Sequence, residues 1–315
     1  MSEENKGLPR VVIIGGGFAG LTAAKKLDKQ PVQITLIDKH NYHLFQPLLY
    51  QVATSGLSPE DVAHPIRPIL KDQKNITFLN AEVLSVDREK KVITTSVNTV
   101  EYDYLVVAVG GDNNFFGNAN VEKNGHGLKN LHEAVELRNH VLSIFEGASH
   151  EKDATARRCY LNFVVVGGGP TGVEYAGALS ELIYGILDKD FPQLDLKEVR
   201  IILLEGGGAL LPPFPESLRE ETAKTLWNKH VEVRFHAQVT DYDGERVFLK
   251  TGEIIPTRTL VWAAGIRAER LIRTMNLPTG PQGRAVVTPT LQLEGHDEIF
   301  IIGDCALAMG DNGRP

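Results

Sequence analysis

Cysteine is scarce in this sequence, and several other features that mark particular classes of protein are missing. The 315 residues include only two cysteines, Cys159 and Cys305, which fits a reducing cytosol better than an exported disulfide scaffold. Acidic residues outnumber basic ones by 40 to 33, and the net charge of −7 argues against a nucleic-acid partner. The segment MSEENKGLPR has no apolar core and predicts no signal peptide, and no run approaches the roughly 20 apolar residues of a spanning helix. We therefore expect a cytosolic α/β protein.

Histidine gives no indication of a metal site. His40 and His43 lie close together after a predicted strand, but no carboxylate or cysteine pattern completes a set of ligands. We interpret both as loop histidines near a bound ligand, and we expect no metal.

What the sequence does contain is a repeated pattern of elements. VVIIGGGFAG (residues 11–20) and FVVVGGGPTG (163–172) each predict a strand, a glycine-rich turn and a helix, and a second strand ending in an acid follows. β-rich segments and a third strand come next, so that Gly15 and Gly110 are 95 residues apart, while Gly167 and Gly265 are 98 apart. We interpret the two halves as related dinucleotide-binding domains.

One further segment indicates that the second domain interrupts the first. TPTLQLEGHDEIFIIGD (288–304) falls outside the repeat and ends in an apolar strand followed by Gly-Asp. We interpret it as the returning last strand of the first domain. The predicted boundaries are 8–125 for the first part of that domain, 126–280 for the inserted domain, and 281–315 for the returning part.

The first glycine-rich turn carries a dinucleotide fingerprint. Gly15, Gly17 and Gly20 follow an aliphatic strand and open a helix, and Asp38 ends the next strand. The glycines allow a tight turn, close approach of the backbone to a pyrophosphate, and packing of the helix on the strand. Asp38 is expected to accept hydrogen bonds from a ribose.

The second turn repeats the fingerprint with Gly167, Gly169 and Gly172, followed by Glu205. The extra length before Glu205 lies in YGILDKDFPQLDL (184–196), which we interpret as an extended helix end and a loop. A glutamate here would bind the ribose diol and repel a 2′-phosphate. Three glycines follow it, with no arginine to bind that phosphate, so the sequence predicts NADH rather than NADPH.

Two dinucleotide sites in one chain indicate an electron relay from a nicotinamide to a flavin held in the first domain. Glu174 lies near the start of the second helix, in its predicted first turn. Acids are favoured there by the helix dipole, yet one beside nucleotide phosphates is electrostatically unhelpful. Two interpretations stay open at this point: an acid favoured by the helix dipole, or an acid that the domain geometry directs toward the flavin ring.

The segment DKHNYHLFQPLLYQVATSG (38–56) is read as a long aromatic loop. It would cover the first domain, or its Pro47, Leu48 and Tyr50 would form an apolar wall beside the flavin, and both interpretations are compatible. No cysteine lies near it, so electron transfer to a disulfide is not expected.

In these motifs the sequence resembles the two-dinucleotide flavoproteins with a glutathione-reductase-like fold, and more closely the type II NADH dehydrogenases, which are single-chain NADH:quinone oxidoreductases. The resemblance spans nearly the whole chain. The matching segments are GGGFAGL, ITLIDKHNYHLFQPLLYQVA, AEV, YDYLVVAVG, LRNH, GGGPTGVE, VWAAGIR and FIIGDCA.

This resemblance implies a set of roles for individual residues. Glu174 would be catalytic, in proton transfer or quinone reduction, and Asp304 would hold the ribityl chain of the flavin. The FAD-binding residues would be Gly15, Gly16, Gly17, Phe18, Ala19, Gly20, Asp38, Lys39, His43, Val83 through its backbone, Gly110 and Asp304. The NADH-binding residues would be Gly167, Gly169, Gly172, Glu205, Ala264 and Gly265.

The resemblance further implies an FAD-dependent enzyme of the respiratory chain that passes two electrons from NADH to a membrane quinone without proton pumping. It implies peripheral attachment to the cytoplasmic face of the membrane, and a homodimer is a reasonable expectation. The family continues with an Ala-Gln motif and an amphipathic C-terminal region, whereas this sequence ends in GDNGRP (310–315). We expect a truncated chain with an incomplete quinone site.

Three alternative functions remain open at this stage. The first is a sulfide:quinone oxidoreductase, for which Cys159 is poorly placed. The second is a soluble NADH-dependent reductase of a small electron-transfer protein. The third, which is not an enzyme, is a flavoprotein that senses NADH.

Overall fold

A computed structural model of the chain describes residues 7–310. The chain forms two compact units. Unit 1 comprises Met1–Leu44, Ala63–Asp112 and Ile266–Pro315, and unit 2 comprises Phe45–Val62 and Asn113–Gly265. The truncation predicted at Arg314 and Pro315 falls outside the described residues.

The elements alternate along the chain in the order that the repeat predicts. The elements up to residue 113 are β1 (Arg10–Ile14), α1 (Phe18–Lys26), β2 (Gln33–Asp38), β3 (Tyr42–Leu44), α2 (Leu49–Ala53), α3 (Pro59–Val62), β4 (Ala63–Pro65), α4 (Ile66–Leu70), β5 (Ile76–Asn80), β6 (Val83–Asp87), β7 (Val92–Thr95), β8 (Thr99–Glu101), β9 (Tyr104–Val107) and β10 (Gly111–Asn113). The next group is α5 (Ala119–Asn124), α6 (Leu131–His150), α7 (Ala154–Leu161), β11 (Asn162–Val166), α8 (Pro170–Leu182), α9 (Asp188–Asp190), β12 (Arg200–Leu204), α10 (Glu216–Asn228), β13 (Val231–Arg234), β14 (Val239–Tyr242), β15 (Arg246–Leu249), β16 (Ile254–Pro256) and β17 (Thr259–Trp262). The last group is β18 (Ile266–Ala268), α11 (Arg270–Thr274), β19 (Ala285–Val286), β20 (Gln292–Leu293), β21 (His296–Ile301) and β22 (Ala306–Leu307).

Unit 1 is built on a six-stranded sheet in the order β20-β21-β9-β1-β2-β5. Every neighbouring pair is parallel except β20 with β21 at one edge. The chain goes from β1 to β2 on one side and returns to β9 on the other, which opens a crevice at the carboxyl ends of β1 and β9. The predicted returning strand, β21, does pair with β9.

The core of unit 1 lies on both faces of this sheet. Val12 and Ile14 of β1 face a cluster that includes Leu105 and Ile299, while Ile13 faces a second cluster with Leu36 of the neighbouring strand. Alternate residues of a strand point to opposite faces, so a central parallel strand requires apolar side chains at nearly every position. The aliphatic run in β1 satisfies this.

Unit 2 repeats the plan with a four-stranded parallel sheet in the order β13-β12-β11-β17. All five residues of β11 are buried, and β14, β15 and β16 form an antiparallel sheet after the third parallel strand. The predicted fold class, two Rossmann-like α/β domains with the second inserted in the first, is confirmed.

The long connection before Glu205 is explained by the end of α8. The helix continues from Leu182 into a π-helical segment, Ile183–Leu187, and then into α9. This agrees with the predicted extended helix end and accounts for the spacing between Gly172 and Glu205.

The loop predicted at residues 38–56 is wrong, because this stretch contains β3, which includes His43, and α2. The segment from Phe45 to Val62 forms α2 and α3 and belongs to unit 2, where α2 packs against α6 and α8. Leu49, Val52 and Ala53 are buried, and their spacing of three and four residues places them on one helical face. The compact units change at 112/113 and 265/266, before the predicted boundaries, which stay a prediction.

Among residues 7–310, no helix combines the length and the apolar character that crossing a bilayer demands.

Candidate active site

The first glycine-rich turn lies at the carboxyl end of β1, where close backbone contacts exclude side chains. Gly15 has a φ of +106°, and a Cβ there would lie 2.3 Å from the carbonyl oxygen of Ala108. A Cβ on Gly20 would lie 1.9 Å from the carbonyl oxygen of Gly15. At Gly17, the N-cap of α1, a Cβ would meet no described atom within 4 Å. The N-terminus of α1 is therefore open to close approach by a phosphate.

Asp38 connects this turn to the next strand. Its Oδ2 accepts a hydrogen bond from the N–H of Gly16 at 2.5 Å, and its Oδ1 accepts one from the N–H of His40 at 2.7 Å. Each carboxylate oxygen has a second lone pair, so Asp38 is still able to accept bonds from a ribose diol. His43 Nδ1 lies 3.0 Å from the carbonyl oxygen of Gly16, and the Phe18 ring meets the His43 ring edge to face at 5.0 Å.

Two more of the predicted flavin-binding residues lie at the same edge of the sheet. Gly110 follows β9 by three residues and has a φ of +73°. Asp304 lies in a short 3₁₀ turn after β21. A Cβ on Gly303, next to it, would lie 3.0 Å from the Cβ of Ala19, so the turn with Asp304 lies against the start of α1.

Val83 and Lys39 lie toward the outer strands. The N–H of Ala81 donates to the carbonyl oxygen of Asp38 at 2.9 Å, and Val83 starts β6 two residues later. Lys39 is exposed beside Asp38. Their roles toward a flavin stay predictions.

The second glycine-rich turn has the same geometry. Gly167 has a φ of +113°, and a Cβ there would lie 2.5 Å from the carbonyl oxygen of Ala263. A Cβ on Gly172 would lie 1.9 Å from the carbonyl oxygen of Gly167, and one on Gly169, the N-cap of α8, would meet no described atom within 4 Å. The repeat read from the sequence therefore extends to the conformation of each turn.

Glu205 holds the position in unit 2 that Asp38 holds in unit 1. Its Oε2 accepts from the N–H of Gly168 at 2.6 Å, and its Oε1 accepts from the N–H of Gly207 at 2.5 Å. In both units the acid thus binds the N–H of a glycine in the turn and the N–H of the residue two positions after itself.

Ala264 and Gly265 form one side of the second turn. A Cβ on Gly167 would lie 2.8 Å from the Cα of Ala264. A Cβ on Gly265 would lie 3.0 Å from the Phe116 ring. The carbonyl oxygen of Gly265 accepts a hydrogen bond from the N–H of Asn114 at 3.1 Å. The predicted NADH-binding residues Gly167, Gly169, Gly172, Glu205, Ala264 and Gly265 therefore cluster at the carboxyl edge of the sheet of unit 2.

The predicted position of Glu174 in the first turn of its helix is wrong. α8 begins at Pro170, its first turn contains no acid, and Glu174 is its fifth residue. The carboxylate therefore lies one turn away from the open N–H groups at the start of the helix, and its conflict with bound phosphates is smaller than the sequence indicated.

Glu174 lines a cavity of about 770 Å³ in unit 2, together with Gln51 and Thr54 of the α2 region and Phe214 and Leu218 before and within α10. The side chain is exposed to the solvent of the cavity, yet the walls desolvate it enough to raise the pKa of its carboxyl above the ordinary value. A carboxyl with a raised pKa keeps its proton to higher pH and is able to donate it.

Gln51 and Thr54 line this cavity without having been predicted as site residues. The helical spacing of the apolar residues in α2 was a usable signal for a helix. Nothing local indicated that this helix belongs to unit 2, because that assignment depends on packing against α6 and α8.

The two cysteines are free thiols and form no disulfide. Cys305 is buried, its Sγ contacts the carbonyl oxygens of Val107 and Ile302, and burial raises the pKa of its thiol to about 11. Cys159 is a free thiol on α7. Within residues 7–310, no three His, Cys, Asp or Glu side chains are grouped to hold a metal ion.

Two glycine turns of this kind, each with its acid, define an oxidoreductase of the two-dinucleotide class. The family described as pyridine nucleotide-disulphide oxidoreductase matches residues 9–315. A type II NADH:quinone oxidoreductase of Mycobacterium tuberculosis, Ndh, is 39% identical over 96% of this chain and 68% of its own length. A type II NADH:quinone oxidoreductase of Staphylococcus aureus is 32% identical over 97% of this chain and 76% of its own length.

A solved structure supports the same relationship. The structure of NDH2 from Plasmodium falciparum in complex with NADH has a TM-score of 0.89 and 26% identity, and the match covers 96% of this chain and 65% of that one. The chain therefore belongs to the pyridine nucleotide-disulphide oxidoreductases and, within them, to the type II NADH:quinone oxidoreductases. It spans about two thirds of the length of the Mycobacterium and Plasmodium proteins. The family predicted from the motifs is confirmed.

Proposed function

We propose that this chain is the catalytic part of an FAD-dependent NADH dehydrogenase that takes hydride from NADH and passes two electrons on to a membrane quinone without pumping protons. The observation that carries this proposal is the doubled geometry of the glycine turns. Gly16 with Asp38, and Gly168 with Glu205, form two equivalent acid-closed turns in one chain.

The residues of unit 1 fit FAD. The N-cap Gly17 leaves room that a side chain would fill, and the start of α1 offers N–H groups to a pyrophosphate. Asp38 would accept bonds from the adenosine ribose, and Asp304, beside the start of α1, would hold the ribityl chain. FAD supplies the capacity to accept two electrons as hydride and to release them to an acceptor.

The residues of unit 2 fit NADH. Pyrophosphate would lie at Gly169 and the adenosine ribose at Glu205, whose carboxylate repels a 2′-phosphate. Arg234, at the end of the neighbouring strand, binds Glu232 and Glu253 at 2.8 and 2.7 Å. Its guanidinium is therefore committed elsewhere, which supports selection of NADH over NADPH.

Glu174 would hold and deliver a proton. Reduction of a quinone to a quinol consumes two protons along with two electrons, so a carboxyl that stays protonated at higher pH suits this step. The raised pKa of Glu174, and its position on a cavity wall rather than in the protein core, support the assignment.

A quinone acceptor dissolved in the bilayer places the reaction at a membrane surface, and we assign it to the cytoplasmic face, where NADH is present. A homodimer is part of the same proposal. The sulfide-oxidising alternative is disfavoured, because it requires a reactive thiolate at the flavin. Burial raises the pKa of Cys305 to about 11, and Cys159 lies on α7 in unit 2, whereas the flavin is assigned to unit 1.

The proposal is tested by steady-state kinetics of the FAD-loaded chain with NADH and a soluble quinone, beside an extended chain of the length of the relatives. Quinol formation coupled to NADH oxidation in the extended chain supports it. If FAD binds and NADH reduces it in both chains while neither reduces quinone, the acceptor is wrong. A small electron-transfer protein is then the next acceptor to try.

A further inference from the structure

The carboxyl end of β13 carries two exposed aromatic residues that have no role in the site described above. Phe235 exposes 40% of its surface, and His236 beside it is also exposed. His236 has a φ of +54°, a left-handed conformation that costs energy for any residue with a Cβ. Residues held in this way are enriched at ligand sites.

Backbone hydrogen bonds fix this end of β13 beside Glu205. The N–H of Ala237 donates to the carbonyl oxygen of Glu205, and the N–H of His236 donates to that of Gly207, both at 2.9 Å. A Cβ on Gly208 would lie 3.2 Å from Cε1 of His236. The imidazole therefore lies against the backbone of the glycine run that follows Glu205.

The order of groups in a dinucleotide follows the order of these strands. β11, β12 and β13 are parallel neighbours, and the carboxyl ends of adjacent strands are about 4.8 Å apart. With pyrophosphate at Gly169 after β11 and ribose at Glu205 after β12, the base attached to that ribose is directed to the next strand end. That end carries Phe235 and His236.

We propose that Phe235 and His236 form the adenine wall of the NADH site, an assignment that rests on the proposed function. A purine has a π-face that stacks on aromatic rings, and an exposed phenyl ring gains by being covered. The glycines at 206–208 keep side chains away from the space in front of the imidazole. The wall contributes to affinity for NADH, while the reaction at the nicotinamide end does not depend on it.

The test uses variants that preserve the backbone. His236→Asn removes the ring at a position where asparagine tolerates positive φ, and Phe235→Leu removes the π-face but keeps an apolar side chain. Trp227→Leu, in α10, is the matched control, because Trp227 is 75% exposed and does not line the cavity. Each FAD-loaded chain is measured for ADP-ribose binding by calorimetry and for reduction by NADH and by reduced nicotinamide mononucleotide, which lacks the adenylate half.

We expect each of the two variants to raise the dissociation constant of ADP-ribose and the KM for NADH about ten-fold. kcat and the rate with the mononucleotide should be unchanged, and Trp227→Leu should have no effect. Unchanged ADP-ribose binding in both variants overturns the inference, and so does an equal loss with the mononucleotide.

The same measurements separate the inference from the proposed function. If ADP-ribose binding weakens in the variants although NADH never reduces the flavin of the unsubstituted chain, the proposed function fails and the adenine wall stands. If the unsubstituted chain does not bind ADP-ribose at all, unit 2 has no adenylate site and the inference is overturned.

Discussion

The two glycine-rich turns share one backbone geometry but differ in the residues that follow the acid. In unit 1, Asp38 is followed by Lys39 and His40, and His43 contacts the carbonyl oxygen of the turn. In unit 2, Glu205 is followed by three glycines, and the N–H of Gly207 donates to its Oε1. The turn geometry is therefore common to both units, and under the proposed function the residues around each turn would distinguish bound FAD in unit 1 from exchanging NADH in unit 2.

The largest effect is expected from adding a methyl group at the glycine where each helix packs against its turn. A Cβ on Gly20 or Gly172 would lie 1.9 Å from a carbonyl oxygen, so the helix must shift. We expect Gly20→Ala to lose bound flavin, and Gly172→Ala to keep flavin but reduce kcat/KM for NADH by about 100-fold or more. Flavin absorbance after gel filtration and NADH kinetics measure the two effects.

Gly17→Ala and Gly169→Ala are the matched controls, because a Cβ at either position meets no described atom within 4 Å. Both should leave Tm unchanged and weaken only the corresponding ligand. Equal loss of flavin in the unit 1 and unit 2 variants would contradict the division of labour between the turns.

The second prediction concerns Glu174 on α8. The corresponding helix of unit 1, α1, carries no acid. We expect Glu174→Gln to lower kcat for quinone reduction about 100-fold, with reduction of the flavin by NADH unaffected. Because the protonated acid is the donor and its pKa is raised, quinone reduction should decline as pH rises through that pKa. The substitution should abolish this decline.

Glu181→Gln is the control for Glu174. Glu181 lines the same cavity from the same helix, but it forms an ion pair with Lys229. If its kcat for quinone falls as much as that of Glu174→Gln, the effect belongs to the general charge of the cavity, and the specific role of Glu174 is wrong.

Substitution of the two acids should affect different ligands: the choice between NADH and NADPH for Glu205, and retention of flavin for Asp38. Glu205→Gln removes the charge that repels a 2′-phosphate, so the preference for NADH over NADPH in kcat/KM should fall about ten-fold. Asp38→Asn should lower flavin content and leave that preference unchanged. Glu216→Gln, an exposed acid at the start of α10, serves as the charge control. A preference that survives Glu205→Gln would assign selectivity to another residue.

The smallest expected effect is on stability in acid. Burial, and secondarily His140, lowers the pKa of His126 in unit 2 to about 4, and their rings lie 4.2 Å apart. Because the pKa of His126 is lower in the folded than in the unfolded chain, the buried neutral imidazole favours the folded state above pH 6.5. This contribution to stability is lost as pH falls toward 4. About 3 kcal/mol of unfolding free energy should disappear across that window, because one pKa unit corresponds to about 1.4 kcal/mol.

Denaturant unfolding followed by tryptophan fluorescence measures this loss, because Trp262 is buried in unit 2 and its environment changes on unfolding. His126→Phe should flatten the acid limb, while His132→Gln on the exposed side of α6 should not. An unaltered acid limb in His126→Phe would show that other groups cause it.

Local patterns were sufficient to predict much of the fold. The aliphatic runs before Gly15 and Gly167 predicted buried parallel strands, because a strand covered on both faces requires apolar residues at successive positions. The glycine spacing and the acids after the second strands also predicted the two turns. Gly20, Gly172 and the two acids each contact backbone of their own glycine-rich turn, so the local sequence is enough to indicate the geometry.

Features that depend on tertiary packing were not predictable in this way. α2 lies between two stretches of unit 1 in the sequence but belongs to unit 2, and no local signal indicates that. The position of Glu174 depended on where α8 begins, and a proline at the first helical position, Pro170, was the signal for that start. His236 was missed because its positive φ is invisible in a sequence.

The central claim is that one turn holds flavin and the other receives NADH, and an anaerobic titration tests it most directly. The chain is loaded with FAD, and the flavin absorbance is recorded while NADH or NADPH is added. The account predicts complete bleaching by one equivalent of NADH and much slower bleaching by NADPH. Tightly bound flavin that neither nucleotide bleaches, in both this chain and an extended one, would contradict it.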